Sequence, residues 1–279
     1  MQAKKTRLAN GTEKQTNWNA IDWRKANRTV RNLRHRIFRA TQEGNQKKVR
    51  SLQKLMLKSY SNRLVSVRRV AQINAGKHTP GVDKLVIKTP AARGRMVDAL
   101  AHYSPWKAKP VRRVYIPKAN NKLRPLGIPV VADRCLQAMV KNALEPAWEA
   151  RFEGTSYGFR PGRSGHDAIE KIFVLARPNK TKKWVLDADI RGAFDHISHE
   201  YLCNAIGPVP GRELIKQWRK RGVCRTRGLP CNGAGNATRW SRVALIGKYR
   251  VARDGRGSWG QIRLPRPTRR KTCGREVCR

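Results

Sequence analysis

Positive charge is the strongest constraint on this chain. Its 279 residues carry 62 Lys and Arg against 18 Asp and Glu, a formal net charge of +44. An excess of this size repels itself unless a polyanion neutralises it. It also leaves little apolar sequence, since the hydrophobic fraction is 39%, so a core is expected over part of the chain only. Nucleic acid is the partner that matches the charge, with affinity carried mainly by phosphate contacts. A membrane matches less well, because no apolar run approaches the roughly 20 residues of a spanning helix. The N-terminus MQAKKTRLANGTEKQ has no apolar stretch of the secretory kind. The cytoplasm of a bacterium or an organelle matrix is the expected location.

Periodicity divides the chain. Residues 1–17 are polar, with no expected structure. Asp22 caps a predicted helix with Trp23, Ala26, Val30, Leu33 and Ile37 on one face, ending near Gly44. A second helical pattern runs through Val49, Leu52, Leu55, Met56, Tyr60, Leu64, Val67 and Val70 and stops at Gly76. The two predict a helical hairpin with basic outer faces, and Arg31, Arg34, Lys47 and Lys48 are its candidate contacts to RNA or DNA. GKHTPGVD at 76–83 reads as a connector. Residues 111–128 read as two strands about a polar ANNK turn, with Lys118, Lys122 and Arg124 clustered there. Beyond Pro129, the spacing of Leu136, Val140, Leu144 and Trp148 predicts another helix. The Gly- and Arg-rich SYGFRPGRS stretch suits close approach to a phosphate chain and adds Arg160 and Arg163 as candidate nucleic-acid contacts. Cys135 and Cys203 fall in helical patterns, as small buried residues do. The four cysteines that follow have no histidine among them and make no zinc pattern.

Chemistry is concentrated in WVLDADIRGAFD, residues 184–195. Residues two apart on a strand share a face, so Asp187 and Asp189 can stand together at a strand end. Hard carboxylate oxygens there suit Mg²⁺. From about Arg221 onward the text loses both helical and strand period, and Asp254 and Glu276 are its only acids. Residues 223–279 are therefore expected to be an unstructured Arg-rich tail.

Four segments in order, GKHTPGVD, YIPKANNKLRPLGIPVVADR, SYGFRPGRSGHDAI and WVLDADIRGAFDHI, resemble the N-terminal half of group II intron-encoded reverse transcriptases, or maturases. The resemblance covers roughly 18–222. It implies an α+β right-hand polymerase fold: a basic helical N-terminal extension over 18–83, then fingers and part of the palm over 84–222. By the same resemblance Asp189 is the catalytic metal-binding aspartate and Asp187 a second, more variable metal position. Lys118 and Arg124 hold the nucleotide triphosphate, and Phe194 is the aromatic screen against a 2′-hydroxyl.

The resemblance also has a gap. The family continues with a TPQGG-like segment and a Y-x-D-D turn, and neither appears after Val223. The Y-x-D-D aspartates complete the two-metal site. The expectation is a fragment whose reading frame was lost near Arg221–Arg225. Such a chain binds group II intron RNA, lacks polymerase activity alone, and takes Mg²⁺ only if a complete site is assembled. A DNA primer and a complementing downstream fragment are its further expected partners, and no membrane is. The alternative is a non-catalytic RNA-binding module that assists intron splicing. A basic structural protein would explain the charge but not the four ordered segments.

Overall fold

The computed structural model describes residues 15–102, 106–117, 123–176 and 198–224. They form a mixed α and β structure built around one long helix. The first helix, α1 (Trp23–Gln42), starts where the Asp22 side chain accepts the Lys25 amide at 2.9 Å. It buries Ala26, Val30, Leu33, Ile37 and Ala40, the stripe that helical spacing predicts. Gly44, at φ +72°, turns the chain, and Asn45 then caps α2 (Gln46–Lys58) by accepting the Lys48 amide at 3.0 Å.

The single second helix expected up to Gly76 is broken. Ser59 is extended (φ −63°, ψ 126°), ends α2 and caps α3 (Tyr60–Arg68). The break is stabilised by polar groups inside the core. Buried Asn62 donates to the Met56 carbonyl at 2.9 Å and to the Met139 carbonyl at 3.3 Å, and accepts from Asn142 at 2.8 Å. A buried amide is tolerated only when it is bonded in this way. Beyond α3 the helix widens into a π turn over Arg69–Ile73.

The 76–83 connector is strapped down by Arg134, which donates to the Gly76 and Thr79 carbonyls at 3.0 and 2.6 Å. Gly81 lies so close to Val130 that a Cβ would meet the Val130 Cα at 2.6 Å. A fourth helix, α4 (Pro90–Ala99), carries proline in its first turn and is capped by Thr89. The polar N-terminal stretch, expected to lack structure to residue 17, is anchored before that. Thr16 donates its amide at 3.0 Å and its hydroxyl at 2.5 Å to Asp98 of α4. Trp18, 5% exposed, then packs edge-on to Trp23.

Strands β1 (Val111–Pro117) and β2 (Leu123–Ile128) pair antiparallel, as the sequence predicts, with Arg124 opposite Ile116. A short parallel strand, β3 (Val223–Cys224), joins the other edge of β1. The central helix α5 (Val131–Glu149) follows, buried at Leu136, Val140 and Leu144 as expected. After it come α6 (Gly165–Leu175), α7 (His199–Ile206) and α8 (Arg212–Lys220). One hydrophobic cluster runs from Trp18 to Trp218 and crosses the sequence boundary at 83/84 without interruption, because α1, α2 and α3 all pack on α5.

A carboxylate lies inside this cluster. Asp133, fully buried, accepts the indole N–H groups of Trp106 and Trp218 at 2.8 and 3.0 Å and the Lys109 amide at 3.2 Å. Arg221 stands 3.5 Å away as its counter-charge. Burial pulls the Arg221 guanidinium down to about 10, against the opposing pull of Asp133. This network ties the loop before β1, the end of α8 and the approach to β3 to the first turn of α5.

Candidate nucleic-acid interface

The outer face of α1 is a ladder of arginines. Arg24, Arg28 and Arg31 recur at i, i+4 and i+7, with His35 one turn further on, all exposed. At 1.5 Å rise per residue the four positions span about 16 Å. The ladder forms one wall of an open groove of about 770 Å³, with Arg68 and Asn142 across from it. Among the described residues lining that groove none is acidic. The Arg68 guanidinium is stacked 4.3 Å from the centroid of the Trp23 ring. That cation–π contact fixes the guanidinium at the groove, whose wall both residues line.

Arg31 lies in the groove wall. Arg34 is different. It lies half-buried between α1 and α5 and donates to Glu145 Oε2 at 2.7 Å. Lys141 approaches Glu145 Oε1 at 2.9 Å from the other side. Burial alone would raise the Glu145 carboxyl, but Arg34 and Lys141 outweigh it and hold the group below its ordinary value. Lys47 and Lys48 are exposed in the first turn of α2, with the Lys48 ammonium 3.2 Å from Glu43.

Arg160 and Arg163 point back into the protein. Arg160, 7% exposed, pairs with Glu149 at 2.6 Å and donates to the Ser156 carbonyl at 2.9 Å. Arg163 donates to the Gly154 carbonyl and lies over the Tyr157 ring. Together they shape the SYGFRPGRS loop, holding exposed Phe159 in a left-handed conformation at φ +61°. A non-glycine residue there is uncommon and carries local strain.

Of the catalytic candidates, Arg124 is exposed on β2. Lys118, Asp187, Asp189 and Phe194 lie outside the described residues. Among the described residues no group of three or more His, Cys, Asp or Glu could hold a metal ion, and no helix is long and apolar enough to cross a membrane. Arg24, Arg28 and Arg68 were absent from the sequence-derived contacts. The first two carried a signal, the i, i+4, i+7 spacing with Arg31. Arg68 needed the fold, which brings the end of α3 alongside the start of α1.

The family model described as the N-terminal domain of reverse transcriptase matches residues 18–100, and that described as reverse transcriptase (RNA-dependent DNA polymerase) matches 116–238. The chain belongs to the reverse transcriptase family. The second match runs past Gly222, where the sequence pattern stopped, and takes in Lys118, Arg124, Asp187, Asp189 and Phe194. Similar curated proteins include Protein YkfC of Escherichia coli, 40% identical over 154 residues, which is 51% of this chain and 39% of that protein. The group II intron-encoded protein LtrA of Lactococcus lactis is 44% identical over 99 residues, 35% of this chain and 16% of that one. Maturase-like protein 1 of Euglena gracilis is 27% identical over 184 residues, 64% of this chain and 40% of that one. This reverse transcriptase-family chain therefore spans well under half the length of these relatives. Its groove falls largely within the first matched region, and α5 lies within the second.

Proposed function

We propose that the chain is an RNA-binding portion of a group II intron reverse transcriptase/maturase, working in the cytoplasm or an organelle matrix. In this reading residues 18–83 are the basic helical extension, and 84–222 supply the fingers and the start of a right-hand palm. The observation that carries it is the α1 ladder: Arg24, Arg28 and Arg31 line a groove with no acid among its described lining residues. Cations at one-turn spacing along a rigid helix suit the repeating charge of a phosphodiester chain. Lys47 and Lys48, exposed in the first turn of α2, are further contacts in this reading. The relatives named for group II introns and for maturases point to intron RNA as the ligand.

Asp187 and Asp189 would hold Mg²⁺ in the polymerase reaction, since carboxylate oxygens are the donors this ion takes. When bound, the ion would stabilise charge on the phosphoryl group in transfer. Lys118 and Arg124 would offset triphosphate charge, a purely electrostatic contribution. Phe194 would exclude a ribose 2′-hydroxyl by contact. The 279 residues contain no adjacent Asp-Asp pair, so this chain by itself offers only part of a two-metal donor set. That observation favours a second reading, a non-catalytic module that assists splicing.

Primer extension on an RNA template separates the two. The purified chain is expected to give no extension with Mg²⁺ or Mn²⁺. Extension that appears on adding a polypeptide carrying Y-x-D-D, and is lost with Asp189→Asn, would establish one part of a split polymerase working with a DNA primer. No extension with any such polypeptide would leave the splicing-assistance module. Extension by the chain alone, abolished by Asp189→Asn, would contradict both.

A further inference from the structure

The groove on α1 does not end at Arg31. A second cavity of about 360 Å³ lies beyond it, between α1, α5 and the SYGFRPGRS loop, and the two share Arg34 and Asn142 in their walls. Arg34, Arg69, Lys141 and Arg160 all border this second cavity, so by cation count it should extend the anion path. One residue changes its character. Glu145 is the single acid among its described lining residues, and both Arg34 and Lys141 converge on its carboxylate, at 2.7 and 2.9 Å. The Glu145 side chain is 11% exposed, so these contacts are poorly screened.

A carboxylate held by two cations at these distances occupies the position a phosphate oxygen pair would take. We propose that Glu145 is a built-in competitor for RNA phosphate. It neutralises Arg34 and Lys141 at the junction of the two cavities, confines the single-stranded RNA backbone to the α1 groove, and limits how tightly the cleft grips it. The inference rests on the RNA-binding reading above and adds the residue that sets its strength.

Two geometric points support this. Arg34 continues the ladder by helical spacing, three residues after Arg31, yet it is turned inward to α5 rather than along the groove. Glu145 is also placed to hold both cations at once. Lys141 precedes it by one helical turn on α5, and Arg34 reaches it from the facing helix. An acid needed only to bind α1 to α5 would require one of these partners.

The test is the salt dependence of binding to a fluorescein-labelled single-stranded RNA oligonucleotide, read by anisotropy on the full chain. Each phosphate contact contributes about 0.7 to the log–log slope for single strands. Glu145→Gln frees up to two cations, so the slope should steepen by about 0.7–1.4 and binding near 50 mM salt should tighten. Arg34→Gln in the native chain should leave the slope nearly unchanged, while in the Glu145→Gln background it should remove about half of the gain. Glu145→Asp withdraws the carboxylate by one methylene and retains its charge. It serves if Glu145→Gln does not fold, and should give a smaller gain of the same sign. An unchanged or shallower slope in the folded Glu145 variants overturns the proposal, as does Arg34→Gln costing the native chain as much slope as Arg31→Gln. A native chain whose binding ignores salt would instead remove the RNA-binding reading on which the proposal stands.

Discussion

Asp133 shows how much one side chain can organise. It is a fully buried carboxylate joined to two indoles, a backbone amide and an arginine that come from two distant stretches of the sequence, 106–109 and 218–221. Removing one partner of a buried charged pair strands the other, at a typical cost of about 3–5 kcal/mol. Asp133→Ala should lower the unfolding free energy by that amount in urea, and an unchanged midpoint would refute the network's role. Glu145 makes a different prediction. Its carboxyl is held below its ordinary value in the folded chain, so its ion pairs contribute fully above the unfolded carboxyl's value. That contribution is lost as pH falls through the depressed folded value. Thermal midpoints measured from neutral pH down through the carboxylate range should fall less in Glu145→Gln than in the native chain over that acid window. Neither role was legible in sequence. Apart from Lys141, the partners of Asp133 and Glu145 are 24 or more residues away in the chain, where local pattern does not reach.

Among the elements, α1 was readable from period alone, since it buries one regular face and its end signals, Asp22 and Gly44, are local; the β1–β2 pair was readable as two strands, although their burial does not alternate. The break at Ser59 was not. The apolar stripe from Val49 to Val70 continues across it, and the Ser59 cap is joined by the contacts of buried Asn62 with Met56 and with Met139 and Asn142 of α5, two of which need the fold. SYGFRPGRS illustrates the opposite error in emphasis. Its arginines suggested phosphate contact, whereas Arg160 and Arg163 are bonded to the loop and to α5. The 76–83 connector yields a sharp prediction. With a Cβ at Gly81 placed 2.6 Å from the Val130 Cα, Gly81→Ala must push the connector off α5. Overpacking of this kind costs about 1–3 kcal/mol, to be read as a lowered urea midpoint. Retained stability would show that the contact is loose.

At the scale of the whole molecule, most of the charge stands apart from the core, with buried Asp133, Arg221 and Arg160 as exceptions. The apolar residues of the described chain collect in one cluster around α5, while Arg24, Arg28 and Arg31 stand exposed on α1. Composition alone indicated the polyanion, and four ordered segments indicated the family. The groove that would receive the ligand required the fold, because its two walls come from α1 and from the α3–α5 side. The central claim, that this groove tracks an RNA backbone, is tested most directly by one salt titration. RNA binding by the native chain and by the Arg24→Gln/Arg28→Gln/Arg31→Gln variant should be measured across increasing salt, with helicity checked by circular dichroism. Three lost contacts at about 0.7–0.9 each predict a log–log slope shallower by about 2–3 in a variant that remains folded. An unchanged slope in that folded variant would contradict the claim and place the RNA on another face.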